Sequence, residues 1–212
     1  MRIAVIGGTG RTGRPLVHTA LERGHEVTAL VRDPARLGAD GDRVRVVTGT
    51  STEAAALDRL LDGAEAVVSC LGPTAKEPTL HQDTARALVA AMRARHLDRF
   101  VGISGAGIDV PGDRKSVRDR IVSALIRRLG GAVVRDKPAE YDVWAASGLR
   151  WTLVRPPRLL DGEPTGAVEH HAHTSPRTTA IRRADLAAFL VTVVEEDLYV
   201  GQAPLVANAR TP

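Results

Sequence analysis

Arg2-Ile3-Ala4-Val5-Ile6, followed by Gly7-Gly8-Thr9-Gly10-Arg11-Thr12-Gly13, decides the fold of this chain. A short apolar run that stops at glycines reads as a buried strand. Leu16, Val17, Ala20 and Leu21 then recur at helical spacing, and Gly24 stands where a helix C-cap glycine belongs. The glycines therefore mark a strand-to-helix turn, the setting in which a glycine triplet binds a dinucleotide. Gly7 lets the strand turn sharply. Gly10 leaves room for a pyrophosphate against the backbone, and Gly13 lets the helix pack closely on the strand. The helix N-terminus offers unpaired N–H groups and a partial positive charge, to which Arg11 and Arg14 add.

Working outward, Glu26–Val31 is the second strand, and Val31-Arg32-Asp33-Pro34 closes it. A carboxylate at this place holds the ribose hydroxyls of NAD, whereas an arginine suits the 2′-phosphate of NADP. Arg32 comes first, so the expected cofactor is NADP, with NAD possible if Asp33 takes the ribose. Val44–Thr48 is the third strand, and Thr50-Ser51-Thr52-Glu53 has capping-box spacing ahead of a helix that turns Leu57, Leu60 and Leu61 inward. Ala64–Cys70 is the fourth strand. Leu71 and Gly72 follow it and line the crevice expected beside the first strand.

A long helix spans Leu80 to Arg95, and Arg99–Ser104 is the fifth strand. Ile108 to Lys115 is loop-like, and helices follow over Val117–Leu129 and Ala132–Ala146. If a helix instead starts at Asp136-Lys137, Asp136 is its N-cap. Arg150–Val154 is the sixth strand. Arg158 to Thr178 has little periodicity, with one short strand near Ala167–Ala172. Leu186, Phe189, Leu190, Val193 and Val194 form one face of the last helix, and Pro204–Ala207 is a closing strand. Strands alternating with helices give an α/β fold: a Rossmann-type doubly wound parallel sheet with a small C-terminal substrate-side excursion. The chain reads as a single domain over residues 1–212, with substrate-side segments at about 105–135 and 156–180.

The 29 basic and 25 acidic residues leave a net charge of +4. The arginines are scattered and aromatics for base stacking are few, so nucleic acid is not an expected partner. No apolar run reaches the ~20 residues of a membrane span. Met1 leads straight into a strand, leaving no room for a signal peptide, and Cys70 is the only cysteine. Together these point to a cytoplasmic monomer or homodimer acting on a small molecule. Cys70 itself reads as buried filler. His170, His171 and His173 invite a metal, but nothing in the sequence nominates a further ligand, and no metal is assigned. As a strand, this stretch puts His171 and His173 on one face and His170 on the other.

Three stretches carry a resemblance. The Gly-x-x-Gly-x-x-Gly turn resembles the extended and atypical short-chain dehydrogenases/reductases. Ser147-Gly148-Leu149-Arg150-Trp151-Thr152-Leu153-Val154-Arg155-Pro156-Pro157 resembles the "SGLxWTxxRPP" stretch of the atypical members, and Ile181-Arg182-Arg183-Ala184-Asp185-Leu186-Ala187 resembles their "I-S-x-x-D-x-A" helix start. The group is similar to the NAD(P)H-binding, NmrA-like family that includes biliverdin reductase B and flavin reductases. The resemblance implies a Rossmann fold and cofactor contacts at Gly7, Thr9, Gly10, Arg11, Thr12, Gly13, Arg32, Leu71, Gly72 and Pro156.

It implies no catalytic set. The classical short-chain enzymes use a serine after the fifth strand and Tyr-x-x-x-Lys on the next helix. Here Val133 stands four residues before Lys137, and Tyr141 lies one turn after it, in the wrong order. The Ser/Thr-Ser pair of the flavin-reductase branch is Ser104-Gly105. Ser104 and Lys137 are the catalytic candidates that remain, Ser104 toward a substrate carbonyl and Lys137 toward the nicotinamide ribose or as proton donor. The expected function is an NADP(H)-dependent oxidoreductase passing hydride to a flavin, quinone or related carbonyl compound. The alternatives are a redox-neutral epimerase, dehydratase or isomerase, and an NmrA-like cofactor-sensing protein.

Overall fold

A computed structural model gives the architecture. It describes residues 1–74, 76–129 and 131–210. The first half runs β1 (Arg2–Ile6), α1 (Gly13–Glu22), β2 (Glu26–Val31), a 3-10 segment (Pro34–Arg43), β3 (Arg45–Thr48), α2 (Ala54–Leu60) and β4 (Ala66–Ser69). The second runs α3 (Leu80–Ala94), β5 (Arg99–Ile103), α4 (Val117–Leu129), α5 (Gly131–Ala145), β6 (Arg150–Val154), β7 (Arg158–Leu160), β8 (Val168–His171), β9 (Ala180–Arg182), α6 (Arg183–Glu195) and β10 (Leu205–Asn208).

Six parallel strands form one sheet in the order β3-β2-β1-β4-β5-β6. The expected Rossmann-type sheet is therefore present. The strand order reverses between β1 and β4, and a ligand crevice belongs at that switch point. Alternation along β1 feeds both faces. Ile3 and Val5 join α1 and α6 in one buried cluster, while Ala4 and Ile6 join α2, α3 and α5 in the other. Arg99, only 3% exposed, ties the sheet to α6 by donating to Val193 O at 2.8 Å, with a further bond to Thr152 Oγ1 at 2.9 Å.

Several local readings are corrected. Glu53 is the N-cap of α2 and makes no side-chain cap bond, so Thr50–Glu53 is not a capping box. The 3-10 segment was not legible in the sequence; Asp33 caps it by accepting from Ala35 N at 3.1 Å, and it kinks at Gly38. Asp136 caps no helix of its own, because α5 already runs from Gly131 and carries Pro138 inside it. Residues 156–180 hold more than one strand: β7 pairs with β9, and β8 with β10. Asp185, in the first turn of α6, holds this region. It accepts from Thr165 N, Gly166 N and Asn208 Nδ2 at 2.9, 2.9 and 2.7 Å. Burial pushes its carboxyl up, but those donors outweigh it and hold it below the ordinary range.

Candidate functional site

The turn after β1 is built as a floor. Gly7 has φ +79°, and a Cβ there would lie 2.8 Å from Cys70 C and 3.0 Å from Leu71 N. That approach brings the end of β4 against β1. A Cβ on Gly13 would overlap Gly7 O and lie 2.8 Å from both Gly7 C and Gly8 Cα. Only glycine allows α1 to start this close to the strand. Gly10 is different: its added Cβ would meet only Gly7 O, at 3.2 Å.

Above this floor lies a crevice of about 310 Å³, and Gly7, Thr9, Gly10, Arg32, Leu71 and Gly72 line it. Six of the ten predicted cofactor residues thus meet in one place. Thr12 and Gly13 are buried at the start of α1, and Thr12 makes no side-chain cap bond there. Arg11 turns aside to pair with Asp161. Pro156 sits at the end of β6, where its carbonyl accepts from Ala106 N at 3.0 Å. Arg36 also lines the crevice and was missed, because it falls in the 3-10 segment. Arg14 Nε donates to the Arg36 carbonyl at 3.0 Å. Arg32 is exposed and lies 3.7 Å from Glu77.

Ser104 follows β5. Its backbone N–H donates to Val154 O at 2.8 Å, yet its buried Oγ has no partner among the described residues. Buried hydroxyls without partners are scarce. Lys137 reaches the same strand end, donating to Ile103 O at 2.7 Å and to Glu140 Oε2 at 2.9 Å, so it is not a freely solvated lysine. Tyr141 is half-buried edge-on to Trp151, and burial pushes its hydroxyl up. Neither Ser104 nor Lys137 lines the glycine-floored crevice; both stand at β5, the strand next to β4.

The loop between β5 and α4 is pinned by buried charge. Arg155, fully buried, grips Asp113 with two bonds of 2.7 Å and donates to Ala203 O at 2.6 Å. Lys115 donates to Ala106 O at 2.8 Å, Asp109 Oδ1 at 2.9 Å and Ser123 Oγ at 3.3 Å. Burial, with Arg155 nearby, pushes its ammonium down to about 8. The pairing of Arg155 with Asp113 has no signature in the sequence, because the two stand 42 residues apart.

Of the histidines, His170 points inward, 2.6 Å from Tyr199 Oη and tilted on Phe189. His171 is exposed, and β8 ends there, so His173 does not share its strand face as read from the sequence. Cys70 is buried, which pushes its thiol up to about 12. Among the described residues, no group of three His, Cys, Asp or Glu is placed to hold a metal, and no helix is long and apolar enough to cross a membrane.

Comparison with known proteins agrees with this geometry. A family profile described as NAD(P)H-binding matches residues 7–197. The protein YwnB of Bacillus subtilis is 25% identical over 171 residues, covering 80% of this chain and 78% of the relative. The (4-alkanoyl-5-oxo-2,5-dihydrofuran-3-yl)methyl phosphate reductase of Streptomyces griseus is 34% identical over 155 residues, which is 73% of this chain. The chain spans about half of that relative's length, 46%. Among solved structures, a Lactobacillus casei protein superposes with a TM-score of 0.78 at 25% identity, covering 99% of this chain and 100% of that one.

Proposed function

The chain belongs to the NAD(P)H-binding family, and from that membership we propose that it is an NADP(H)-dependent oxidoreductase that passes hydride to a small organic acceptor, a flavin, quinone or related carbonyl compound. The carrying observation is the crevice at the strand-order reversal, floored by a turn in which Gly7 and Gly13 leave no room for a Cβ, and rimmed by Arg32 and Arg36. These residues fit a dinucleotide phosphate. The Gly7–Gly10 turn and the start of α1 would hold the pyrophosphate, and the Leu71–Gly72 backbone would form the wall beside it. The bound cofactor supplies the hydride chemistry. The name of the Streptomyces griseus relative, a reductase, supports the same reaction class.

NADP is preferred over NAD for two reasons. Asp33, the carboxylate at the end of β2, accepts from Ala35 N and does not line the crevice, whereas Arg32 and Arg36 both line it, Arg32 beside Glu77. A hydrogen bond to a charged group is worth roughly 1.5–3 kcal/mol. Arg32→Ala is therefore expected to weaken NADPH about tenfold or more and NADH little, read by fluorescence titration. Equal losses for both would remove Arg32 from the phosphate site.

The acceptor end is assigned to Ser104 and Lys137. The unpartnered Ser104 Oγ is available to an acceptor oxygen, and Lys137 has two of its three N–H donors committed. With Tyr-x-x-x-Lys broken, no side chain is a dedicated acid, and flavins or quinones suit such a site better than simple ketones. An essential general acid contributes about 10²–10⁴ in rate. Ser104→Ala, Lys137→Ala and Tyr141→Phe are each expected to lose less than about tenfold in turnover on a good acceptor. The test is NADPH oxidation across a flavin and quinone panel with these variants. Tight NADPH binding with no turnover on any acceptor favours the cofactor-sensing reading. A thousandfold loss in a folded Tyr141→Phe restores a tyrosine acid.

A further inference from the structure

His81 opens α3, and its side chain is 3% exposed. Asp136, on α5, meets it from another helix. Asp136 Oδ2 accepts the His81 backbone N–H at 2.8 Å and lies 2.8 Å from the ring Nδ1. Asp136 Oδ1 accepts the Gln82 N–H at 3.0 Å. Asp136 therefore caps α3 across the fold. The other ring nitrogen, His81 Nε2, lies 3.3 Å from the carbonyl oxygen of Leu71.

Leu71 lines the crevice, and Gly7 packs against the Cys70–Leu71 peptide so closely that a Cβ there would strike Cys70 C and Leu71 N. Gly7 thus packs on the Cys70–Leu71 peptide, and the His81 imidazole meets the carbonyl of the next one. Both ring nitrogens of His81 face oxygens that accept: a carboxylate and a peptide carbonyl. A neutral imidazole has one N–H donor, so one of the two contacts would set lone pair against lone pair. An imidazolium satisfies both, with Asp136 as its countercharge. The next residue of α5, Lys137, holds Ile103 O at the end of β5. One turn of α5 therefore fixes the ends of two neighbouring strands.

We propose that His81, protonated on both ring nitrogens and anchored by Asp136, is a positioning residue for the cofactor crevice, fixing the Leu71 carbonyl and with it the Leu71–Gly72 wall. This rests on the reading that the crevice takes NAD(P)H. The wall is common to both cofactors, so loss of His81 weakens NADPH and NADH by similar factors, unlike loss of Arg32.

The test is made on the full chain. Imidazole nitrogen NMR of the wild-type protein, with the His81 ring signals assigned by correlation to its own backbone, is expected to show both nitrogens protonated. In His81→Gln the dissociation constants for NADPH and NADH, measured by fluorescence titration, are expected to rise together by about tenfold, the equivalent of one charged hydrogen bond. Turnover at saturating NADPH stays within a fewfold of wild type. Asp136→Asn is expected to remove the second ring proton and weaken both cofactors alike. A wild-type His81 with one bare nitrogen overturns the proposal, even if the variants fail to fold. Unchanged affinity in a folded His81→Gln overturns it equally. Wild-type protein that binds neither cofactor overturns the crevice reading instead, and the role built on it, whatever the His81 spectrum shows.

Discussion

Replacing Gly10 with valine is expected to leave a folded protein that has lost NADPH and NADH, whereas replacing Gly13 with the smaller alanine is expected to disrupt the fold. The contrast follows from what each Cβ would meet. Gly10, unlike Gly7, has no positive φ, and only Gly7 O lies near its added Cβ, at 3.2 Å. Gly10 lines the crevice, so a branched side chain there takes up room where the pyrophosphate would lie. A loss of more than about a hundredfold in affinity, some 2.7 kcal/mol, is expected with a melting temperature near wild type. Gly13 is closed in by Gly7 and Gly8 backbone, with 2.8 Å to Gly7 C and Gly8 Cα. Backbone at the first β–α turn cannot step aside without parting α1 from β1, so overpacking there costs about 3 kcal/mol or more. Thermal melts followed by circular dichroism, and fluorescence titration of what remains folded, separate the two. Full cofactor affinity in Gly10→Val would move the phosphate site elsewhere. A wild-type melt in Gly13→Ala would show that the turn is looser than described.

Local signals were legible, and partnerships across the fold were not. The glycine turn, β2 and α4 were read with their observed bounds or within a residue or two. Each is fixed by neighbours in sequence: an apolar run, a periodicity, a glycine at the stop. Arg32 was readable for the same reason, since the residue after β2 faces the crevice whatever else the chain does. Asp136 was legible only as the N-cap of a helix that would start at Asp136-Lys137, because nothing near it in sequence points to a partner on another helix. Its carboxylate is taken by α3, 55 residues away. Arg36 was missed because the 3-10 segment has no apolar period to announce it. Over residues 158–182 only β8 was legible, as the short strand near Ala167–Ala172; β7 and β9 were not, because they are three residues long, shorter than a pattern of alternation can reveal. Arg155 was noted only as part of a motif. A charged residue defaults to solvent, and nothing local shows that Asp113 stands ready to bury it.

That pair gives a second large stability effect. Asp113→Asn keeps the shape of the side chain and removes the charge facing Arg155, whose guanidinium is fully buried. An uncompensated buried charge costs about 3–5 kcal/mol, a large share of the roughly 5–15 kcal/mol by which domains are stable. Urea denaturation at neutral pH is expected to show that loss. Removing both charges, with Arg155→Met added to Asp113→Asn, should recover more than about 1 kcal/mol of it, because desolvation of the guanidinium disappears with its partner. Recovery is partial, since the bonds from Arg155 to Ala203 O and Ile108 O go too. The pH dependence has a definite sign. Burial pushes the Asp113 carboxyl up, but the hydrogen bonds from Arg155 and the Val110 N–H, and the nearby charges of Arg155 and Lys115, outweigh it and hold the group below its ordinary range. Its contribution is therefore complete above the unfolded carboxylate value of about 3.9 and is lost as pH falls through the lower folded value. The gap in stability between wild type and Asp113→Asn should narrow only in that acid range. A double variant as unstable as the sum of its single losses, or a gap that narrows above pH 5, would show that the Arg155–Asp113 pair does not pin the β5–α4 loop through its charge.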